Sequence, residues 1–120
     1  MTILTPIQHI NLKHFSEMCG DDAETMHELM KEIKKEIPIE MEKLNRASSE
    51  KDWEEVFQIA HKLKMTFSFL GNSELDKLTK VTEFSARYKI DVQEIPALVK
   101  QISSHTNLVM QDLLKANDNC

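Results

Sequence analysis

Hydrophobic residues recur at every third or fourth position over most of the chain, which is the spacing of an amphipathic α-helix. The longest such stretch begins after Asp21 or Asp22, where Glu24 is placed to complete a capping arrangement. Its apolar positions are Met26, Leu29, Met30, Ile33, Ile37, Met41 and Leu44. Pro38 lies within this stretch, but the pattern resumes in phase beyond it. We therefore predict one helix with a bend at the proline.

Capping residues and glycines delimit two more helices, one on either side of this long one. A short helix is predicted to follow Asn11 and to end at Cys19, with Gly20 as a left-handed stop. A second helix follows the cap Asp52 and ends near Gly71. Its predicted buried positions are Trp53, Val56, Phe57, Ala60, Leu63 and Phe67.

The same pattern predicts two final helices. One begins at Asn72 or Ser73 and runs to about Tyr88. The other begins between Asp91 and Pro96 and ends before a polar tail. The predicted buried positions of these two helices are Leu75, Leu78, Thr82, Ile95, Leu98, Val99, Ile102, Val109 and Leu113.

Long amphipathic helices joined by short turns pack antiparallel, so the sequence predicts an all-α fold. We expect an up-and-down four-helix bundle with a short additional N-terminal helix. The 120 residues suit a single domain, 1–120, with a buried core. About 10 residues at the N-terminus and about 5 at the C-terminus are expected to be flexible.

Composition narrows the classes of function. The net charge of −5 argues against a general nucleic-acid-binding protein, because such proteins carry a basic excess. Cys19 and Cys120 form neither a CxxC pair nor a disulfide framework, which favours a reducing cytoplasm. No signal peptide is recognised at the N-terminus, and no apolar run approaches the ~20 residues that span a bilayer. We expect a cytoplasmic monomer without a membrane partner.

The helix that follows Asp52 carries the candidate chemistry. His61 points roughly 115° away from the centre of its buried stripe, so we expect the imidazole to be exposed. Lys64 lies one turn further on, where its alkyl stem can cross the bundle while the ammonium reaches outward. Met65, Ser68 and Phe69 lie on the same outward side. Two of these are apolar, which a fully solvated face does not need.

Helix geometry alone leaves ordinary explanations open. A lone histidine on a helix is usually a surface residue. Met65 and Phe69 could be covered by a neighbouring helix or by the N-terminal segment, and Lys62 and Lys64 could be solvated lysines.

The segment Ala60-His61-Lys62-Leu63-Lys64, followed by Leu70-Gly71 and Leu75, resembles the signature of histidine-containing phosphotransfer (HPt) domains. That family has the pattern Ala-His-x-Leu-Lys-Gly, a glycine at the helix end and a leucine in the next helix. The resemblance extends over about residues 11–114 and includes the last-but-one helix with Glu83. One position departs from the pattern, because Met65 stands where the family usually has glycine. That substitution bears on partner choice and docking geometry.

The resemblance implies a phosphorelay intermediate of two-component signal transduction and not an enzyme with its own ATP site. His61 would accept a phosphoryl group from a receiver-domain aspartate and pass it to another receiver. Lys64 would offset the phosphoryl charge, and Lys62, Met65, Ser68 and Phe69 would form the docking surface. Its partners would be response-regulator receiver domains and a hybrid sensor histidine kinase. No cofactor is expected in this chain, since the magnesium ion belongs to the partner receiver domain.

Three other functions are compatible with parts of the sequence pattern. A self-sufficient histidine kinase is rejected, because Gly20 and Gly71 are the only glycines and cannot build the phosphate-binding loops. That the chain is one domain of a larger hybrid kinase stays open. Glu24 and His27 have the Glu-x-x-His spacing of a di-iron site, but no second copy is present, so no metal site is predicted. A non-catalytic HPt-like adaptor, with Met65 blocking transfer, stays open.

Overall fold

The structure, a computed structural model, describes residues 9–118, with side chains from 9 to 115. Five α-helices and one short 3-10 turn make up this part of the chain. They are α1 (Leu12–Met18), α2 (Ala23–Ser49), α3 (Trp53–Ser68), α4 (Ser73–Tyr88), the 3-10 turn (Val92–Glu94) and α5 (Ile95–Asp118). This order confirms the predicted bundle. The N-terminal and C-terminal ends are predicted to be flexible, but they lie mostly outside the described residues. Their flexibility therefore stays a prediction.

Three of the helices begin at the predicted side-chain caps. The side chains of Asn11, Asp52 and Asn72 each accept a hydrogen bond from the backbone N–H three residues further on, at 3.0, 3.2 and 3.0 Å. Each bond satisfies one of the N–H groups that a helix N-terminus leaves unpaired. These caps fix where α1, α3 and α4 start, and therefore which residues face the core.

The start of α2 differs from its prediction. Asp22 is the N-cap by its backbone, but its carboxylate accepts a hydrogen bond from the Thr25 hydroxyl at 2.6 Å instead of capping a backbone N–H. Glu24 is exposed and takes no part in a capping box. The helix then runs through Pro38 without interruption, as predicted, and Pro38 itself lies on the exposed side.

The four long helices enclose one core. In it, α3 packs against α2 and α4, and α5 packs against the same two helices. All five α-helices and the turn after α3 contribute large side chains that are fully buried. These include Phe15, Ile37, Leu44, Leu63, Phe67, Leu70, Leu75, Ile102 and Leu113. This arrangement places α3 between its two neighbours with one side open to solvent.

The core face of α4 is built largely from small side chains. Thr79, Thr82, Ser85 and Ala86 are buried there. The hydroxyls of Thr79 and Thr82 donate to the carbonyls of Leu75 and Leu78, at 2.7 and 2.9 Å. Both buried hydroxyls are therefore hydrogen-bonded within their own helix. Small side chains let α4 approach the helices it packs against, α3 and α5, because interaxial distance follows the size of the contacting residues.

The short helix α1 is fastened to the C-terminal end of α3. The Asn11 backbone N–H donates to the Leu70 carbonyl at 2.8 Å, and His14 Nε2 donates to the Ser68 carbonyl at 2.7 Å. Phe15 of α1 is fully buried in the bundle core. These contacts satisfy carbonyls that the end of α3 would otherwise leave unpaired.

Among residues 9–118, the helices are too short or too polar to cross a membrane.

Gly71→Ala should destabilise the fold more than Gly20→Ala does. Both glycines have left-handed backbones, with φ of 67° and 69°, so both variants lose about 1 kcal/mol to backbone strain. A Cβ at Gly71 would also lie 2.8 Å from Asn11 Cβ, whereas nothing lies within 4 Å of one at Gly20. Urea unfolding of the two variants measures the difference, and equal losses would contradict the close packing of α1 on this turn.

Candidate functional site

The side chain of His61 projects from the middle of α3, and 55% of its surface is exposed. Its neighbours Ala60 and Leu63 are fully buried, which fixes the rotation of the helix. The outward orientation predicted from the sequence is therefore observed. The imidazole is also held in place, because it contacts a side chain of the next helix.

That contact is a carboxylate bridge from α4. Glu83 places one oxygen, Oε2, 2.6 Å from His61 Nδ1 and the other, Oε1, 2.8 Å from Lys64 Nζ. The Glu83 side chain is only 12% exposed, while that of Lys64 is 34% exposed. The two residues that the sequence singled out on α3 are thus brought together by a third residue from another helix.

The bridge determines which nitrogen of His61 is available. An ionised carboxylate can only accept hydrogen bonds, so the proton of the neutral imidazole lies on Nδ1. Nε2 then carries the free lone pair. Histidines whose second ring nitrogen is held in this way have a fixed tautomer and ring orientation. The arrangement presents Nε2 as a nucleophile.

Glu83 is ionised at neutral pH despite its position. Burial by itself would raise the pKa of this carboxyl, but hydrogen bonds and charge attraction from Lys64 and His61 outweigh burial and lower the pKa. A largely buried carboxylate with two such donors remains charged, and both of its oxygens are hydrogen-bonded. It can therefore stabilise positive charge on the imidazole without becoming protonated itself.

Lys62 points to the opposite side of α3. Its ammonium lies 3.2 Å from Glu40 and 3.8 Å from Glu36, both on α2. The hydrogen bond and charge of Glu40 raise the pKa of Lys62. Glu40 is only 4% exposed, so this ion pair is anchored in the bundle. The Lys62 side chain is still 55% exposed, so the docking role predicted for it is compatible with this ion pair.

The three remaining predicted residues differ in accessibility. Met65 is open, with 64% of its surface exposed. Ser68 and Phe69 are half-buried, because α1 covers this end of α3. The Phe69 ring lies 6.2 Å from that of Phe15, and Ser68 donates its hydroxyl to the Met65 carbonyl at 2.6 Å. Cover by the N-terminal part of the chain, one of the alternatives left open, therefore applies in part to Phe69, whereas α1 and the other described residues leave Met65 open.

An aromatic and cationic cluster adjoins His61 on the α4 side. The Phe57 ring, one turn before His61, lies 5.9 Å from the imidazole. The Arg87 guanidinium lies 5.5 Å from the Phe57 ring and 5.4 Å from the Tyr88 ring. Tyr88 in turn pairs with Phe84 at 4.9 Å. These four residues, Phe57, Phe84, Arg87 and Tyr88, form what we call the α4 flank.

Within the described residues, no three His, Cys, Asp or Glu side chains are grouped so that they could hold a metal ion. Glu24 and His27, which have a metal-ligand spacing, are both exposed on α2.

Comparison with known proteins identifies the family of this bundle. The family model described as the Hpt domain matches residues 12–116, which is most of the chain. The chain belongs to the Hpt domain family. It is therefore a phosphotransfer protein of two-component signalling, and its Hpt domain is a phosphocarrier domain.

A solved structure has the same fold. The crystal structure of histidine-containing phosphotransfer protein B (HptB) from Pseudomonas aeruginosa PAO1 matches with a TM-score of 0.83 and 20% sequence identity. The match covers 93% of this chain and 96% of that one. At this identity the likeness concerns the fold alone. No curated protein sequence is similar enough to this Hpt domain to count as a relative.

The sequence did not single out Glu83, Phe57 or Arg87 as site residues. In the sequence, Glu83 belongs to a helix that fits the HPt pattern, and Phe57 is a predicted core position. Their roles depend on the register between α3 and α4, which periodicity within one helix does not contain. One signal was available, because Glu83 directly follows the buried Thr82 and so lies at the edge of the core face of α4.

The stability that Glu83 contributes should depend on pH. Its pKa is lowered from 4.5 in the folded protein, so at acidic pH the folded state binds fewer protons at this group than the unfolded state does. The contribution is therefore fully present above 4.5 and is lost as pH falls through the lower folded value. Unfolding Glu83→Gln and the unsubstituted protein in urea from pH 7 to pH 3 should show the difference between them narrowing in acid. A constant difference would contradict the carboxylate bridge.

Proposed function

We propose that this Hpt domain is a phosphorelay intermediate in which His61 accepts a phosphoryl group from a receiver-domain aspartate and passes it to another receiver. The observation that carries the proposal is the bridge from Glu83 to His61 and Lys64. It supplies an exposed, oriented Nε2 with a cation beside it. This combination suits phosphoryl transfer, which depends mainly on positioning and electrostatics.

In the proposed step, the Nε2 lone pair attacks the phosphorus of the aspartyl phosphate. The N–P bond forms as the P–O bond to the aspartate breaks, and the carboxylate leaves with the electron pair. The ring, which then carries positive charge, keeps its Nδ1 proton hydrogen-bonded to Glu83. Transfer to the next receiver is the reverse of this step, with a new aspartate as the nucleophile.

Lys64 is proposed to have two tasks. One of its three N–H donors holds Glu83, which leaves the others to offset charge on the phosphoryl oxygens. The ammonium is one helical turn from His61, on the same side of α3. Magnesium, where transfer requires it, is expected on the receiver domain and not on this chain.

The proposed partners are response-regulator receiver domains and a hybrid sensor histidine kinase, met in the cytoplasm by a monomer. Met65 is proposed to contact them directly, because it is the most exposed of the predicted docking residues. Ser68 and Phe69 would contribute through the edges that α1 leaves uncovered. A domain that only binds its partners without accepting phosphate is the outcome that the next experiment separates from transfer.

His61→Gln should abolish acceptance of phosphate and leave the fold intact. The imidazole is more than half exposed, so its loss removes one hydrogen bond at the surface and costs about 1 kcal/mol or less. The measurement is acid-labile, alkali-stable label acquired from receiver domains phosphorylated with acetyl phosphate, together with a thermal melt. Label that persists in the variant would place the acceptor elsewhere, and absence of label in the unsubstituted protein would favour the adaptor.

Lys64→Ala should slow transfer about tenfold or more, whereas Lys62→Ala should have a smaller effect. Lys64 is coupled to His61 through Glu83, while the charge of Lys62 is taken up by Glu36 and Glu40 on α2. Single-turnover transfer rates at low and high salt provide the comparison. Equal losses for the two variants would show that the ammonium nearest the imidazole has no special part in the step.

A further inference from the structure

The surface around His61 has two flanks of different character. On one side, Lys62 together with Glu36, Glu40 and Ile39 forms what we call the α2 flank. Its cation is compensated by two carboxylates, and Glu36 also accepts a hydrogen bond from the Thr66 hydroxyl at 2.8 Å. The depression on this side is lined by three carboxylates and two lysines, Glu32, Glu36, Glu40, Lys35 and Lys62, so the α2 flank offers no net positive charge to a partner.

The α4 flank differs from the α2 flank in its charge. Among the ion pairs of the described residues, none involves Arg87, whose guanidinium instead rests between the rings of Phe57 and Tyr88. Stacking on two rings restricts the guanidinium while leaving its N–H donors available. A depression of about 260 Å³ beside it is lined by Glu54, Phe57, Ala86, Arg87 and Lys89.

This flank also exposes apolar surface in an ordered form. Phe84 is 56% exposed and Tyr88 is 54% exposed, and the two rings pair with each other. Tyrosine and arginine are among the residues that dominate binding energy at protein interfaces. Rings that are already packed together lose little conformational freedom when a partner covers them.

A partner protein that reacts at His61 is large enough to cover the α4 flank as well. A standard interface covers about 800 Å² on each protein, which is a disc of roughly 16 Å radius. The Arg87 guanidinium contacts the Phe57 ring, and that ring lies beside the imidazole. Phe84 directly follows Glu83, whose carboxylate is hydrogen-bonded to the imidazole. A partner centred on His61 therefore extends over this flank.

We propose that the receiver domain binds this protein chiefly through the α4 flank, with Arg87 and Tyr88 as the anchoring residues, and that the α2 flank contributes little. The inference rests on the proposed function, because the occupant is the protein that delivers the phosphoryl group. That donor brings a negatively charged phosphorylated aspartate to the surface. The flank with the uncompensated guanidinium is the one complementary to it. Docking is thus asymmetric about His61.

The test separates binding from transfer. Receiver domains phosphorylated with acetyl phosphate are first screened for transfer to the unsubstituted protein. A receiver that transfers is then titrated calorimetrically, in its phosphorylated form, into the His61→Gln protein, which has no imidazole to accept the group. Arg87→Ala and Tyr88→Ala in that background should each weaken binding about tenfold. Arg87→Lys should recover only part of the loss, because an ammonium cannot stack as a planar guanidinium does.

Two matched controls lie at other sites. Ile39 on the α2 flank and Leu114 on α5 are each 54% exposed, the same fraction as Tyr88. Ile39→Ala and Leu114→Ala should change binding less than about twofold. Phe84→Ala, which removes the most exposed ring of the flank, provides a variant with little effect on the fold and should weaken binding as Tyr88→Ala does. Thermal melts exclude unfolding as the cause.

The outcomes distinguish the two proposals. If no receiver labels His61 in the unsubstituted protein, the proposed function fails. If transfer occurs but the Arg87, Tyr88 and Phe84 variants bind the receiver as tightly as the parent, the docking proposal alone is overturned. A loss from Ile39→Ala equal to that from Tyr88→Ala would likewise overturn the asymmetry.

Discussion

The carboxylate of Glu83 is the group on which the chemistry of this surface depends. It joins a histidine and a lysine of α3 to α4 through two short charge-assisted hydrogen bonds. Removing a carboxylate from water is unfavourable, and these two bonds offset that cost because both donors reach it at once. The same bonds fix the imidazole proton on Nδ1. One side chain therefore sets the orientation, the tautomer and the local charge of the proposed acceptor.

The rest of the bundle keeps this bridge in register. Asp52 fixes the start of α3 and Asn72 fixes the start of α4, so each helix presents a defined side to the other. At the far end of α3, α1 satisfies carbonyls of Ser68 and Leu70. A histidine in the middle of a helix that is fastened at both ends needs little rearrangement to react, which is how positioning contributes to catalysis.

Most local features were predictable from the sequence, apart from the capping at the start of α2, and contacts between helices were not. The caps at Asn11, Asp52 and Asn72 act over three residues, and the exposure of His61 follows from the period of one helix. Glu83, the hydrogen-bond partner of His61, lies 22 positions further along the chain, so its identity depends on the register in which α3 and α4 pack. The partial cover of Phe69 by α1 is equally nonlocal. The periodicity of a helix shows which of its sides is buried, but not which residue of another helix contacts a given side chain.

The small residues on the core face of α4 have a consequence for evolution of the site. A glutamate side chain is short, so it spans from α4 to an imidazole on α3 only while the two helices stay close. Thr79, Thr82, Ser85 and Ala86 are small and buried, so they let α4 pack closely on its neighbours, and the two threonines need no polar partner outside their own helix. Bulkier replacements at these positions would widen the gap without touching the histidine. The tolerance of these buried positions to substitution is therefore limited by the reach of one carboxylate as well as by packing.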